Sequence, residues 1–137
     1  MADITITAAN VIASSNAVIR REYPFGATVT AGQVVYLNGS NQWALADMNA
    51  PLGTKTTDLR GIALNGGSSG QPAAVVTLDP ALVIGAAVTN GTSYYLSDNA
   101  GGISATAPTT GDQPVFLGLG SGTTLLVLNP TATGVTI

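Results

Sequence analysis

The chain has 137 residues, a length typical of one domain; only 8% of them are charged, where about 25% is usual, and 45% are apolar. The absence of cysteine and histidine excludes a disulfide framework, a zinc–thiolate site and a histidine general base, so an enzyme is disfavoured and no metal or cofactor is expected. A net charge of −3 with four basic residues provides no basic stripe, which disfavours nucleic acid as a partner.

Short runs rich in Val, Ile, Leu and Tyr, each closed by a turn-forming residue, predict an all-β protein with little helix. The predicted strands, in chain order, are Ile4–Thr7, Ala17–Tyr23, Gln33–Leu37, Trp43–Ala46, Leu59–Leu64, Ala73–Leu78, Ser93–Leu96, Val115–Leu119, Thr123–Leu128 and Gly134–Ile137. The glycine- and asparagine-rich segments 38–41, 65–70 and 98–102 supply the positive-φ residues of tight turns. A meander of hairpins is the expected product.

The first 16 residues predict an extended N-terminal arm in front of a single β-domain at residues 17–137. Ile4 and Ile6 alternate with Thr5 and Thr7, as in a strand that could pair with the sheet edge of a neighbouring molecule. Residues 7–16 fit either one or two helical turns or an irregular arm, and the run Ser-Ser-Asn at 14–16 favours a turn. The start lacks a basic region and an apolar run, so we expect no signal peptide, no membrane helix and synthesis in a cytoplasm.

Two parts of the chain resemble each other in sequence. Gly32–Asn38 parallels Gly91–Ser97, and each is followed by a strand that contains a glycine and then by a third apolar strand. These pseudo-repeats span about residues 32–78 and 91–129. Two such three-strand units are expected to share one core as a small β-barrel or sandwich.

The residue types that carry chemistry occur in contexts that favour structural roles. Lys55 lies in a polar loop without a Ser-x-x-Lys motif, and the glycine-rich segment 66–70 lacks the lysine and the helix of a phosphate loop. No calcium-ligand ladder surrounds Asp98. Four acidic residues are better explained as turn formers than as acids, bases or metal ligands: Asp47, Asp79, Asp98 and Asp112.

The aromatic residues allow two interpretations. Trp43, with Tyr36, Tyr94 and Tyr95, could form a face on which a carbohydrate ring stacks. Alternatively, these side chains pack in the core or at a subunit interface. The second interpretation is favoured because Tyr36 and Tyr95 occupy the same position of the repeat.

One dense cluster of charge, Arg20-Arg21-Glu22, follows an apolar run. Its alternation predicts an edge strand that is either solvated or in contact with another subunit or partner. Together with the apolar residues of the arm, it supplies the candidate interface residues: Ile4, Ile6, Val11, Ile12, Arg20, Arg21 and Glu22.

Several segments in this order carry a resemblance to a known family. They are residues 3–7 (Asp-Ile-Thr-Ile-Thr), 26–37, 60–65, 70–72, 84–85, 91–97 and 117–119 (Leu-Gly-Leu). Over nearly its whole length the chain resembles the head decoration, or capsid cement, proteins of tailed bacteriophages. The resemblance implies a non-catalytic virion protein, assembled in the bacterial host cytoplasm. It would form a homotrimer, bind the outside of the expanded capsid and brace the major capsid protein. Virion fibre modules use similar strands, so a tail or head fibre module that binds a host-surface glycan is the alternative.

Overall fold

A computed structural model describes residues 3–46, 59–107 and 115–132. Over these residues the chain is almost entirely β, which confirms the predicted fold class. One 3-10 turn lies at Ala8–Asn10. The nine strands of the described residues are β1 (Val18–Arg20), β2 (Val34–Leu37), β3 (Trp43–Leu45), β4 (Arg60–Ala63), β5 (Val75–Val83), β6 (Ser93–Leu96), β7 (Ile103–Ser104), β8 (Val115–Ser121) and β9 (Leu125–Ala132).

These strands form one antiparallel sheet that curls into a half-barrel. The strand order is β3-β2-β4-β5-β9-β8-β6-β7, and β1 lies beside β5. The order is symmetric about the β5–β9 pair: β3-β2-β4-β5 on one side corresponds to β7-β6-β8-β9 on the other. The predicted pair of three-strand units is therefore present, and each unit also carries a short fourth strand as a hairpin partner.

The two units also agree in register. In the first unit Val34 pairs with Ile62 and Ile62 with Val76. In the second unit the matching row joins Ser93, Leu119 and Val127.

The glycine that precedes each unit plays the same part in both. Gly32 and Gly91 have φ of 95° and 78°, values that favour glycine. Each donates its N–H to the end of the unit's second strand, at the carbonyls of Ala63 (2.8 Å) and Gly120 (2.9 Å) respectively. The repeat seen in the sequence is thus a repeat of backbone hydrogen bonds as well.

Strand β5 is longer than predicted and belongs to both units. Its first half pairs with β4 and β1, and its second half pairs with β9. The sequence Asp79-Pro80 was interpreted as a turn that ends the strand, and this was wrong: the strand continues through an irregularity between Asp79 and Leu82. A bulge of this kind accommodates proline without ending the strand.

Three other strand predictions need comment. Residues 4–7 form no strand, because their backbone hydrogen bonds go to two different segments instead of one ladder. The two-residue strand β7 was missed. The predicted strand 134–137 lies outside the described residues, as do Asp47, Lys55 and Asp112.

The predicted turns at segments 38–41, 65–70 and 98–102 are confirmed. They connect β2 to β3, β4 to β5 and β6 to β7, and positive φ occurs at Asn41, Gly70 and Gly101. In the first of them the Asn38 side chain accepts hydrogen bonds from the backbone of Ser40 and Gln42. Asp98 lies in the last of them, in the predicted turn context.

Two hydrophobic cores stabilise the sheet. The central core is shared by both units and includes the row Val34, Ile62 and Val76, all fully buried. The second core lies on the other face of the first unit, where Phe25 and Val29 cover Val35 and Val75. Both faces of the first unit are therefore covered by the chain itself.

Within the part of the chain that the structure describes, no helix is long and apolar enough to cross a membrane. In the same part, no three acidic side chains come together in a group that could hold a metal ion.

Candidate interaction surface

The predicted arm lies along the body of the protein. The N–H of Ile4 donates to the carbonyl of Ile103 (2.9 Å), and that of Thr7 donates to the carbonyl of Gly85 (2.8 Å). Further along, Ile12 and Val83 exchange a pair of backbone hydrogen bonds, both 2.9 Å long. Residues 12–20 thus follow β5 as an antiparallel neighbour, with β1 as the regular part of that edge.

The four apolar candidates of the arm point in two directions. Ile4 and Ile6 are half-buried against the central core, and Val11 is a buried member of it. Ile12 faces outward and is 59% exposed. Only Ile12 among these four offers a large apolar surface to another molecule.

Asp79 is the main residue whose role the sequence reading missed. Its carboxyl group is buried and accepts hydrogen bonds from the backbone N–H and the hydroxyl of Ser14, the first at 2.8 Å. It also accepts one from the N–H of Ala81 (2.9 Å), which holds the bulge of β5. Asp79 is therefore a clasp between the arm and β5. The sequence signal that could have revealed this role is the presence of an acidic residue inside the apolar run 75–84.

The charged cluster lies at the end of β1. Arg20 donates from Nε to a carboxylate oxygen of Glu22 (2.5 Å), and the side chains of both are exposed. Arg21 is also exposed, and its backbone N–H donates to Glu22 (3.1 Å). The structure thus brings Arg20 and Glu22 together, but not on one strand as predicted, because β1 ends at Arg20 and Glu22 lies in the bend that follows.

The hydrogen bond from Arg20 holds the pKa of Glu22 below its ordinary value, helped by the backbone N–H groups of Glu22 and Arg21. We expect Arg20→Gln to raise the pKa of Glu22, followed by an NMR titration of its carboxyl carbon. Arg21→Gln is the matched control, because Arg21 acts on Glu22 through its backbone. An equal rise in both variants would contradict the assignment.

The lowered pKa of Glu22 also makes the stability of the fold depend on pH. The pair stabilises the fold above the ordinary pKa of glutamate, and this contribution is lost as pH falls through the lowered pKa. Since both side chains are exposed, the effect of acid on unfolding through this pair is expected to be small.

All five large apolar side chains that are exposed among the described residues lie on one side of the sheet. Their exposed fractions range from 39% to 59%, and they are Ile12, Val18, Leu78, Leu119 and Val127. Leu119 pairs with Val127, and Val18 pairs with Leu78. Asp79 and Leu128, the next residues of Leu78 and Val127, pair with each other, so these two apolar residues are diagonal neighbours.

A second row runs parallel to the first. Leu125 of β9 pairs with Val83 of β5, and Val83 pairs with Ile12. We refer to the two rows together as the outer apolar face: Ile12, Val18, Leu78, Val83, Leu119, Leu125 and Val127. The face crosses four neighbouring segments and contains no charged residue.

A depression of about 450 Å³ adjoins this face. Ile12 and Val83 line one part of it, and the small residues Gly85, Ala86 and Ala87 line another. An apolar patch beside a hollow is typical of a surface that binds another molecule.

The aromatic residues are mostly committed to packing. Trp43 is fully buried in the second core, and Tyr94 is buried with its hydroxyl accepting a hydrogen bond from the N–H of Thr89 (2.9 Å). Tyr36 packs against the central core. Tyr95 contacts Phe116 edge to face, with ring centroids 6.0 Å apart.

Comparisons with protein-family models, with curated proteins and with solved structures found no significant match to this chain. The interpretation of the surface therefore rests on its own geometry.

Proposed function

We propose that this chain is a non-catalytic structural protein of a phage virion that binds the outer surface of the capsid and stabilises it. The observation that carries the proposal is the outer apolar face, on which the exposed large apolar side chains of the described residues are gathered, as expected of a protein that is packed against other subunits of an assembly. Its proposed partners are the major capsid protein and further copies of itself, in a homotrimer.

Physical arguments support a bracing role. Two hydrophobic cores stabilise the sheet, and backbone hydrogen bonds close the turns that connect β2 to β3 and β6 to β7, which favours a stiff body. A stiff body attached at many equivalent lattice positions resists expansion collectively, because multivalent attachment turns weak contacts into strong ones.

The proposed capsid contact is the edge that carries β1. It offers Arg20, Arg21 and Glu22 at the surface, next to the part of the arm that follows β5. Deletion of the arm is not a clean test of this contact, because Val11 belongs to the central core and Ser14 holds Asp79. Substitutions of exposed side chains are therefore preferable.

The glycan-binding alternative receives less support from the surface. A carbohydrate ring needs an exposed aromatic face, and Trp43 is fully buried. Tyr36 and Tyr94 are likewise engaged in the central core.

The test is cosedimentation of the purified protein with phage heads of a strain that lacks its own decoration protein. We expect saturable binding to expanded heads, little binding to immature shells, and slower release of DNA from decorated heads on heating. A protein that binds neither form, or that binds without slowing DNA release, would contradict the proposal.

A further inference from the structure

We infer that the outer apolar face is the surface through which two copies of this chain contact each other. The inference rests on the proposed structural function and deepens it by naming the self-contact surface. Three features of the face point to a second copy as its occupant.

The first feature is the internal repeat. The row Val34, Ile62 and Val76 of the first unit is fully buried, whereas its register equivalent Ser93, Leu119 and Val127 lies on the outside. The buried row packs in the central core, to which the second unit contributes Leu126 and Tyr94. Within one molecule, the β-strands of the second unit thus cover the buried row of the first unit. A second copy can supply such a sheet to the exposed row.

The second feature is the missing cover. In the first unit the outward-facing side of the sheet is covered by Phe25 and Val29, which belong to the segment before β2. The corresponding segment before β6 contributes Ile84 and Val88 to the central core instead. The chain itself therefore provides no apolar cover for Leu119 and Val127 among the described residues, and both remain exposed.

The third feature is that the charge and the shape of the face both suit contact with a second copy. Each copy carries a net charge of −3, so two copies approach most favourably through a surface without charges. Ile12 protrudes beside a hollow lined by Gly85, Ala86 and Ala87. A protrusion on one copy can enter the hollow of the next copy, which is the head-to-tail kind of contact that closes a ring such as a trimer.

The test measures the mass of the protein in solution by size-exclusion chromatography with light scattering, over a wide range of concentration. We expect the wild-type chain to show a multiple of 13.6 kDa and the double variant Leu119→Glu, Val127→Glu to show 13.6 kDa. The double variant Ser68→Glu, Ser69→Glu is the matched control, since it adds the same two charges to an exposed loop near the second core. It is expected to keep the wild-type mass.

A second variant tests the same surface in case the double variant does not fold. Ile12→Glu changes one protruding side chain at the rim of the hollow, and it is expected to shift the protein toward the monomer while its circular dichroism spectrum stays unchanged. A wild-type chain that is monomeric at every concentration would overturn the inference. So would folded double and Ile12 variants that keep the wild-type mass.

The experiment separates this inference from the proposed function because it uses no phage heads. A monomeric wild-type protein that still binds expanded heads would overturn the self-contact, together with the proposed homotrimer, and leave the proposed binding to the capsid in place. An oligomer that is disrupted by the glutamates but binds no heads would support the self-contact and count against the proposed function.

Discussion

Replacing Gly118 by alanine is expected to destabilise the protein by about 3 kcal/mol, near the upper limit usual for overpacking. A Cβ atom at this position would collide with the carbonyl oxygen of Val127 and would lie 2.9 Å from its carbonyl carbon. Both are backbone atoms of the paired strand β9, so β8 and β9 would have to separate locally. Thermal and urea unfolding followed by circular dichroism measures the loss.

The repeat supplies a parallel case and a control. Gly61 is the equivalent glycine of the first unit, and a Cβ there would collide with the carbonyl oxygen of Val76. Gly61→Ala is therefore expected to be similarly destabilising. Gly39→Ala is the control, because no atom lies within 4 Å of a Cβ at Gly39, and its effect should stay within about 0.5 kcal/mol. A Gly118→Ala variant as stable as Gly39→Ala would contradict the argument.

Removal of the Asp79 carboxyl group is expected to have the second large effect. Asp79→Ala would leave the N–H groups of Ser14 and Ala81 and the Ser14 hydroxyl without their acceptor. Since a buried unsatisfied group costs about 1–3 kcal/mol, we expect a loss of about 3 kcal/mol and faster hydrogen exchange at the N–H of Ile12. Hydrogen exchange measured by NMR distinguishes release of the arm from general unfolding.

The same clasp can be weakened from the other side. Ser14→Ala removes the hydrogen bond from the hydroxyl to Asp79 and a long, exposed one from the N–H of Asn16 (3.3 Å), and we expect a loss of about 1 kcal/mol. The matched control is Ser15→Ala, which changes the exposed neighbour of the same type and should leave exchange at Ile12 unchanged. If Asp79→Ala left exchange at Ile12 as slow as in the wild type, the clasp would not hold the arm.

Much of the fold could be predicted because the relevant signals are local. Turn residues such as Gly101 can be recognised in the sequence, because they allow backbone conformations that other residues rarely adopt. The glycines at 32 and 91 mark the start of each unit. Matching strands could then be aligned between the two halves of the chain. The hairpin connections account for four pairs of strands, β2–β3, β4–β5, β6–β7 and β8–β9. The predicted meander was wrong, because β2 also pairs with β4, β6 with β8 and β5 with β9.

The parts that could not be predicted depend on distant residues. Asp79-Pro80 is a turn sequence by local criteria, and it becomes part of a strand because Ser14 and Ala81 satisfy the carboxyl group. The orientation of the second unit was equally hidden. A regular strand would place Leu117 and Leu119 on the same face, yet the first lies in the core and the second is exposed, because β8 is irregular between Phe116 and Gly118. Without alternation of polarity, a sequence does not reveal which side faces solvent.

The predicted interface residues also divide into what local sequence indicates and what depends on distant residues. The apolar positions of the arm were identified as a group, but the pattern alone did not reveal that Val11 is buried and Ile12 exposed. The exposed residues Leu119 and Val127 were assigned to strands and not to a surface. Their role on the outer apolar face depends on strand pairing across β5, β9 and β8.

The clasp also places a constraint on the order in which the protein folds during synthesis. Ser14 and Asp79 are separated by 65 residues, so the segment around Ser14 cannot find its place until β5 has been synthesised. At about 5–20 residues per second, this segment waits about 3–13 s for its partner. During that interval Ile4, Ile6 and Val11 have no core to enter. Their separation by the polar residues Thr5, Thr7 and Asn10 reduces the risk that newly made chains aggregate through this segment.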